Sequence, residues 1–134
     1  MGTPVGGTSG LPTVTYVSMD PLTSTVGSSQ VLAYVERLAG RGVDIDLLTF
    51  EHGVDPVVRE RLAGLGVTWR PLRFGLHGPV GGLGRVLRAA WAVRGSAVVH
   101  ARSDMAAASV MLAGVDRWVW DVRSFWADQK VATG

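Results

Sequence analysis

Residues 13–42 read TVTYVSMDPLTSTVGSSQVLAYVERLAGRG. Val14 to Val17 is a short β-branched and aromatic run, the composition of a strand. A loop rich in Ser, Thr, Pro and Gly follows. Apolar residues then return at Val31, Leu32, Val35, Leu38 and Ala39, which is the spacing of one helix face. The next strand begins at once with Val43. Strand, loop and helix in that order place the loop at the carboxyl end of the first strand, where open α/β sheets bind ligands. Gly27, Ser28 and Ser29 close the loop at the helix N-terminus, with Ser28 or Ser29 as its N-cap. Free backbone N–H groups and the positive end of the helix dipole favour an anion there.

The same alternation continues in both directions. Residues 1–12, MGTPVGGTSGLP, have no periodicity and read as a disordered leader ahead of one domain, 13–134. Strand one covers about 13–18 and helix one about 28–40, with Gly40 or Gly42 as its stop. VDIDLLTF, 43–50, turns continuously apolar like a buried parallel strand. Asp55 and Pro56 open a second helix with Val58, Leu62 and Leu65 inward, ended by Gly64 or Gly66. Strand three is 67–72. Five glycines and a proline make 73–84, RFGLHGPVGGLG, a loop. Helix three follows at about 83–94, with Leu83, Val86, Leu87, Ala90 and Trp91 on its apolar face and Arg85 and Arg88 opposite. Strand four is 96–101. Ser103 caps a fourth helix, about 104–114, and strand five is 117–122. Strands and helices alternating through short connections force parallel strands with right-handed crossovers. The fold is therefore a doubly wound, Rossmann-like α/β sheet of five strands, order 3-2-1-4-5. The loops after strands one, four and five then share one edge, at residues 19–29, 100–104 and 121–128.

The composition excludes several classes. With no cysteine there is neither a disulfide framework nor a thiolate metal site. The three histidines, His52, His77 and His100, lie too far apart for metal-ligand spacing. No apolar run approaches the roughly 20 residues that span a bilayer, and the start lacks a signal-peptide pattern, so a cytoplasmic location is expected. The net charge is only +2; the pI of 9.7 comes with arginine, which supplies all the basic residues but Lys130. No dense basic run marks a nucleic-acid binder. G-x-G-x-x-G after strand one, a P-loop and G-x-S-x-G are all missing, which removes a dinucleotide fingerprint, a phosphate loop and a hydrolase elbow.

The shared edge gathers polar chemistry. The first loop offers Asp20, Thr23, Ser24, Thr25, Gly27, Ser28, Ser29 and Gln30, and it is long for a βα connection. Strand four brings His100 and Arg102, with Ser103 and Asp104 behind them. Arg102 and Asp104 are close enough in sequence for a local ion pair. Strand five ends in Asp121, Arg123, Ser124, Phe125, Trp126 and Asp128. Aromatic rings among carboxylates and Arg suit a sugar: rings pack on C–H patches, charges take hydroxyls, and Arg holds phosphate in two-pronged fashion.

Three segments carry a resemblance to a known family. SMDPLTSTVGSSQVLAYVERLAGRGVDIDLLTFE, 18–51, resembles the start of glycosyltransferase family four, the retaining GT-B group, down to its "LA-x-R-G" helix end and its Ser/Thr-Phe-Glu strand end. VVHARSD, 98–104, and WDVRSFWADQKVATG, 120–134, are similar to two later landmarks; the second resembles the family's D-x-R-G-F-W-A-D-E segment. Ser124 stands where Gly is common there and Gln129 where Glu is common. The resemblance implies an N-terminal, acceptor-side domain facing a second Rossmann-like domain that binds the nucleotide sugar through Glu-x7-Glu. No such pair occurs here, so the domain is expected to be incomplete and its donor-binding partner domain missing from the chain. The resemblance further implies that Gly27, Ser28 and Ser29 face the donor phosphates. It places Asp20, His100, Asp121 and Arg123 at the acceptor or reacting sugar. No cofactor or metal is implied; a nucleotide sugar is the substrate, and a glycan or lipid-linked molecule the acceptor.

Two functions follow as expectations. One is the N-terminal part of a retaining glycosyltransferase, inactive alone; the other is a small, non-catalytic Rossmann-like binding domain. Arg70, Arg73, Arg85, Arg88 and Arg94 cluster beside Phe74 and Leu76, and this basic surface extends the first reading to a peripheral contact at the inner face of the cell membrane.

Overall fold

The structure, a computed structural model, describes residues 12–24 and 27–121, the side chains of residues 27–29 aside. Five strands form one parallel sheet: β1 (Val14–Ser18), β2 (Ile45–Glu51), β3 (Thr68–Arg73), β4 (Val98–Arg102) and β5 (Trp118–Asp121). Their order is β3-β2-β1-β4-β5, the order expected from the sequence and one that right-handed crossovers allow. Helices α1 (Ala33–Gly40), α2 (Pro56–Gly64), α3 (Gly78–Val93) and α4 (Asp104–Ala113) connect them. None of these helices is long and apolar enough to cross a membrane. The leader reading of residues 1–12 falls outside the described residues, Pro12 apart.

Register and side-chain alternation divide the core in two. Tyr16 pairs with Leu47 on one side and His100 on the other, while Val17 pairs with Leu48 and Ala101. Tyr16, Ile45 and Leu47 pack with Val31, Val35 and Leu62, so α1 and α2 cover that face. Val17, Leu48, Phe50, Val99 and Ala101 pack with Ala89, Val93, Ala106 and Val110 beneath α3 and α4. The strand order reverses between β1 and β4, so their carboxyl ends open the crevice of a doubly wound sheet.

The structure corrects the local reading in several places. Ser28 and Ser29 do not cap α1, because a π-helical segment, Gly27–Leu32, precedes it and includes both. Asp55 caps α2 as its sequence predicts, its Oδ1 accepting from the Val57 N–H at 2.8 Å, but Leu65 lies exposed beyond the helix. The stretch 78–84 is not loop; it is the first half of α3. Pro79 starts the helix where its missing N–H costs nothing. Gly81 is there for contact: a Cβ would sit 1.8 Å from the Leu76 carbonyl oxygen, so only glycine admits that approach.

The inner face of α3 is also corrected in part: Ala90 is buried, Val86 packs against the core and Arg88 is exposed as expected, but the other four residues are not where periodicity puts them. Leu83, Leu87 and Trp91 point to solvent, with Trp91 68% exposed, while Gly81, Arg85, Ala89, Ala90 and Val93 are buried. Small residues let α3 lie close to α4 and the sheet. Arg85, only 8% exposed, donates to the Phe74 carbonyl at 3.2 Å and the Leu76 carbonyl at 2.7 Å, and stacks 3.9 Å over the Phe74 ring. Arg88 donates to the Arg73 carbonyl at 2.6 Å, and Arg70 is paired with Asp46 at 2.9 Å. Three of the arginines read as a solvent-facing cluster thus hold the chain between β3 and α3 or brace β2.

Candidate functional site

The site forms on the α1/α2 face of the sheet, at its carboxyl edge. Residues paired in register share a face, and so do alternate residues of one strand. Ser18 pairs with Arg102, Arg102 with Asp121, and Tyr16 with His100. Tyr16, Ser18, His100, Arg102 and Asp121 therefore line one side, with the loop after β1 folded over its end.

His100 sits inside β4 rather than at its tip, pressed against Tyr16 at 4.6 Å between nearly parallel rings and flanked by Tyr34 of α1 at 5.7 Å. Its Nε2 lies 3.1 Å from Asp121 Oδ2. A carboxylate only accepts, so Nε2 carries the proton it donates, and Nδ1 is the basic nitrogen of the neutral ring. Both side chains are about four-fifths buried, with 17% and 20% exposed. The carboxylate fixes the tautomer and orientation of the imidazole, the service an aspartate gives a catalytic histidine.

Arg102 holds the loop. Its Nη1 donates to Asp20 Oδ2 at 3.1 Å, and its Nη2 donates to Gln30 Oε1 in the π-helical turn. One guanidinium thereby ties both ends of the long loop to the end of β4. The expected local pair with Asp104 is absent; Asp20, distant in sequence, is the partner. Arg102 is 4% exposed, and among the described residues its Nε has no hydrogen-bond partner.

The sequence reading gave Glu51 no role, yet it anchors the same loop from β2. The Leu22 N–H donates to its carboxyl at 3.0 and 3.3 Å, and Thr49 Oγ1 donates at 2.5 Å. Trp69 Nε1 in turn donates to Thr49 at 2.9 Å. Burial pushes the Glu51 carboxyl above the usual carboxylate range, against the opposing pull of the Thr49 and Leu22 hydrogen bonds and nearby His52. The available signal was a single acid ending the apolar run LLTFE.

Of the predicted site residues, Asp20, His100 and Asp121 are brought to one edge. Gly27, Ser28 and Ser29 lie in the first turn of the π-helical segment beside Gln30. Arg123 and the stretch through Asp128 lie outside the described residues. Ser103 occupies the N-cap position of α4 without a side-chain capping bond, and its backbone takes φ 91°, ψ 167°. Among the described residues no group of three His, Asp or Glu could hold a metal ion.

No family model matches the chain, and no curated protein matches its sequence. Two solved structures share its fold. A glycosyltransferase from Rickettsia africae superposes with a TM-score of 0.52 at 15% identity over 90% of this chain. The chain spans about a third of that protein, 33% of its length. The C-terminal domain of a hydrogenase from Pyrococcus furiosus superposes with a TM-score of 0.54 at 16% identity, covering 83% of this chain and 92% of that domain. Likeness at such identity establishes the Rossmann-like architecture, which many chemistries share.

Proposed function

We propose that this chain is the acceptor-side, N-terminal part of a retaining GT-B glycosyltransferase that moves a sugar from a nucleotide-sugar donor to a glycan or lipid-linked acceptor. One observation carries the reading. At the edge where the strand order reverses, an Asp-oriented histidine and an arginine-tethered loop end in a helical N-terminus, on one sheet face. His100, held by Asp121, would orient the acceptor hydroxyl, and Asp20 and Arg123 would line the reacting sugar. Backbone N–H groups at Gly27, Ser28 and Ser29 would face the leaving diphosphate. The glycosyltransferase superposition over nine-tenths of the chain supports this at the level of fold.

Titrating the 15N-labelled chain with acceptor saccharides tests it. His100, Tyr34 and residues 20–24 should shift together; shifts confined to another surface, or none, refute the assignment. The isolated chain should turn over no nucleotide sugar, because the donor half is expected in a second domain.

The second reading is a non-catalytic Rossmann-like module. It is favoured by the hydrogenase domain, which this chain matches over nearly that domain's whole length. A downstream coding sequence with a second βα domain and Glu-x7-Glu would separate the two.

A lipid-linked acceptor also fits the outer face of α3 and a place at the inner membrane surface. Leu76, Val80, Leu83, Leu87 and Trp91 form an exposed apolar stripe, and an apolar hollow of about 330 Å³ lies between Leu72, Leu87 and Trp91. No acidic residue occurs between Arg61 and Ser103, while Arg73 and Arg94 remain at the surface. Such a face suits an anionic lipid surface. Sedimentation with anionic but not neutral vesicles is expected, and Leu83→Glu with Leu87→Glu should abolish it; equal binding to neutral vesicles would refute the electrostatic part.

A further inference from the structure

We infer that the open edge of β5 docks a second copy of this chain: the two copies pair β5 to β5, antiparallel, about a twofold axis at Val119, and join their sheets into one. The inference goes beyond the sugar-transfer reading and does not rest on it.

The two edges of the sheet, β3 and β5, are built differently. At β3 the Phe74 N–H donates to the Glu51 carbonyl at 2.9 Å, so Trp69, Pro71 and Arg73 turn their backbone groups outward. Pro71 has no N–H to offer there, and the Arg73 carbonyl already accepts from Arg88 at 2.6 Å. That edge is guarded against a further strand. At β5 the Val99 N–H donates to the Arg117 carbonyl at 3.0 Å, and the Ser103 N–H to the Asp121 carbonyl at 3.1 Å. Odd-numbered residues therefore face β4, while Trp118 and Trp120 present both N–H and C=O to the open side. Val119 is 56% exposed and Trp120 52%.

A twofold at Val119 sets Trp118 opposite Trp120 of the second copy. Both have their donors and acceptors outward, so this pair exchanges two hydrogen bonds and its symmetry mate exchanges two more. The same register sets Arg117 opposite Asp121 of the second copy, twice over, on the face that carries Val119 and the His100–Asp121 pair. Opposite charges at facing positions favour such a pairing. Arg117 is exposed, and its guanidinium has no ion-pair partner among the described residues. A slip by two residues sets Arg117 or Asp121 against Val119 and loses the charge match. On the other face the tryptophans meet across the axis, beside α4, which packs against β4 and β5. Exposed Met111 and Leu112 add apolar surface to that helix. Hydrogen bonding, charge and apolar burial thus select one register.

Sedimentation velocity over a wide range of concentration tests the inference, with amide exchange as the second measurement. The native chain should approach twice its single-chain mass as concentration rises. Val119→Lys sets two like charges face to face at the axis, and its exposed position leaves the monomer folded; it should raise the dissociation constant about tenfold or more. Arg117→Asp and Asp121→Arg should each be monomeric alone. Mixed in equal amounts they should form a dimer, because every aspartate then meets an arginine. The Trp118 and Trp120 amides should exchange more slowly as concentration rises, and the Val119 amide, turned to β4, should not change. A native chain that stays monomeric overturns the inference, even with its tryptophan amides protected, since another segment then covers β5. A dimer that survives Val119→Lys overturns it too, as does a mixture of the folded charge variants that associates no better than either alone. If Asp121→Arg does not fold, Val119→Lys and the amide pattern decide.

Discussion

Replacing Ser103 by glycine should stabilise the protein, and the reason lies in the backbone. Ser103 must end β4 and begin α4 in a single residue. Its N–H donates to the Asp121 carbonyl at 3.1 Å, while its own carbonyl accepts from Ala107 N–H at 3.0 Å. Both obligations are met at φ 91° and ψ 167°, in the region that essentially only glycine occupies. A side chain there costs about 1–3 kcal/mol. Glycine relieves that strain but loses roughly 0.5–1 kcal/mol more entropy on folding. The net gain is up to about 2.5 kcal/mol, which for a chain of this length raises Tm by up to about 10 °C. Ser103→Ala is the control: it keeps the strain and removes a hydroxyl that makes no capping bond. It should leave Tm within about 2 °C. Differential scanning calorimetry of the three proteins decides the matter. A glycine variant less stable than the native chain, or an alanine variant that gains as much as glycine, would refute the account.

Other substitutions probe the remaining contacts. Gly81→Ala forces a Cβ against the Leu76 carbonyl, which Arg85 holds in place; it should cost more than about 2 kcal/mol in urea unfolding, against the gain of up to about 1 kcal/mol that alanine brings to an unhindered helix site. At Glu51 the folded carboxyl binds its proton more tightly than the unfolded one. That stability is complete below the ordinary carboxylate range and is lost as pH rises through the raised value. Glu51→Gln should therefore gain on the native chain between pH 4 and pH 7 in urea midpoints; a difference constant with pH would remove the argument. Asp121→Ala leaves the His100 N–H without its acceptor and should cost about 1–3 kcal/mol, while Asp121→Asn keeps an acceptor and should cost less than about 1 kcal/mol by the same assay. Equal losses would mean that the His100–Asp121 bond contributes nothing.

Much of this protein was legible without coordinates. The alternation of apolar strands with 3.6-residue periodicity leaves only a few doubly wound topologies, because parallel strands need crossovers and crossovers have one hand. Order 3-2-1-4-5 followed, and with it the convergence of the loop after strand one with His100 and Asp121. Two kinds of fact were out of reach. Which stripe of α3 faces inward depends on what it meets: leucines at 83 and 87 and Trp91 satisfy helical periodicity as well as the buried stripe of Gly81, Arg85, Ala89 and Val93. Only packing against Phe74 and the Leu76 carbonyl, with α4 alongside, selects the second. Likewise, Arg102 lies two residues from Asp104 and far from Asp20 in sequence, yet folding gives it Asp20 and Gln30. Glu51 reads as the last residue of a strand until Leu22 donates to it. Sequence determines such pairings only through the whole fold, because hydrogen bonds between distant residues depend on where strand ends and loops arrive together. The periodic residues of 13–121 determine the sheet; the tertiary structure alone decides which polar groups at its edge hold the loop and which pair across the strands.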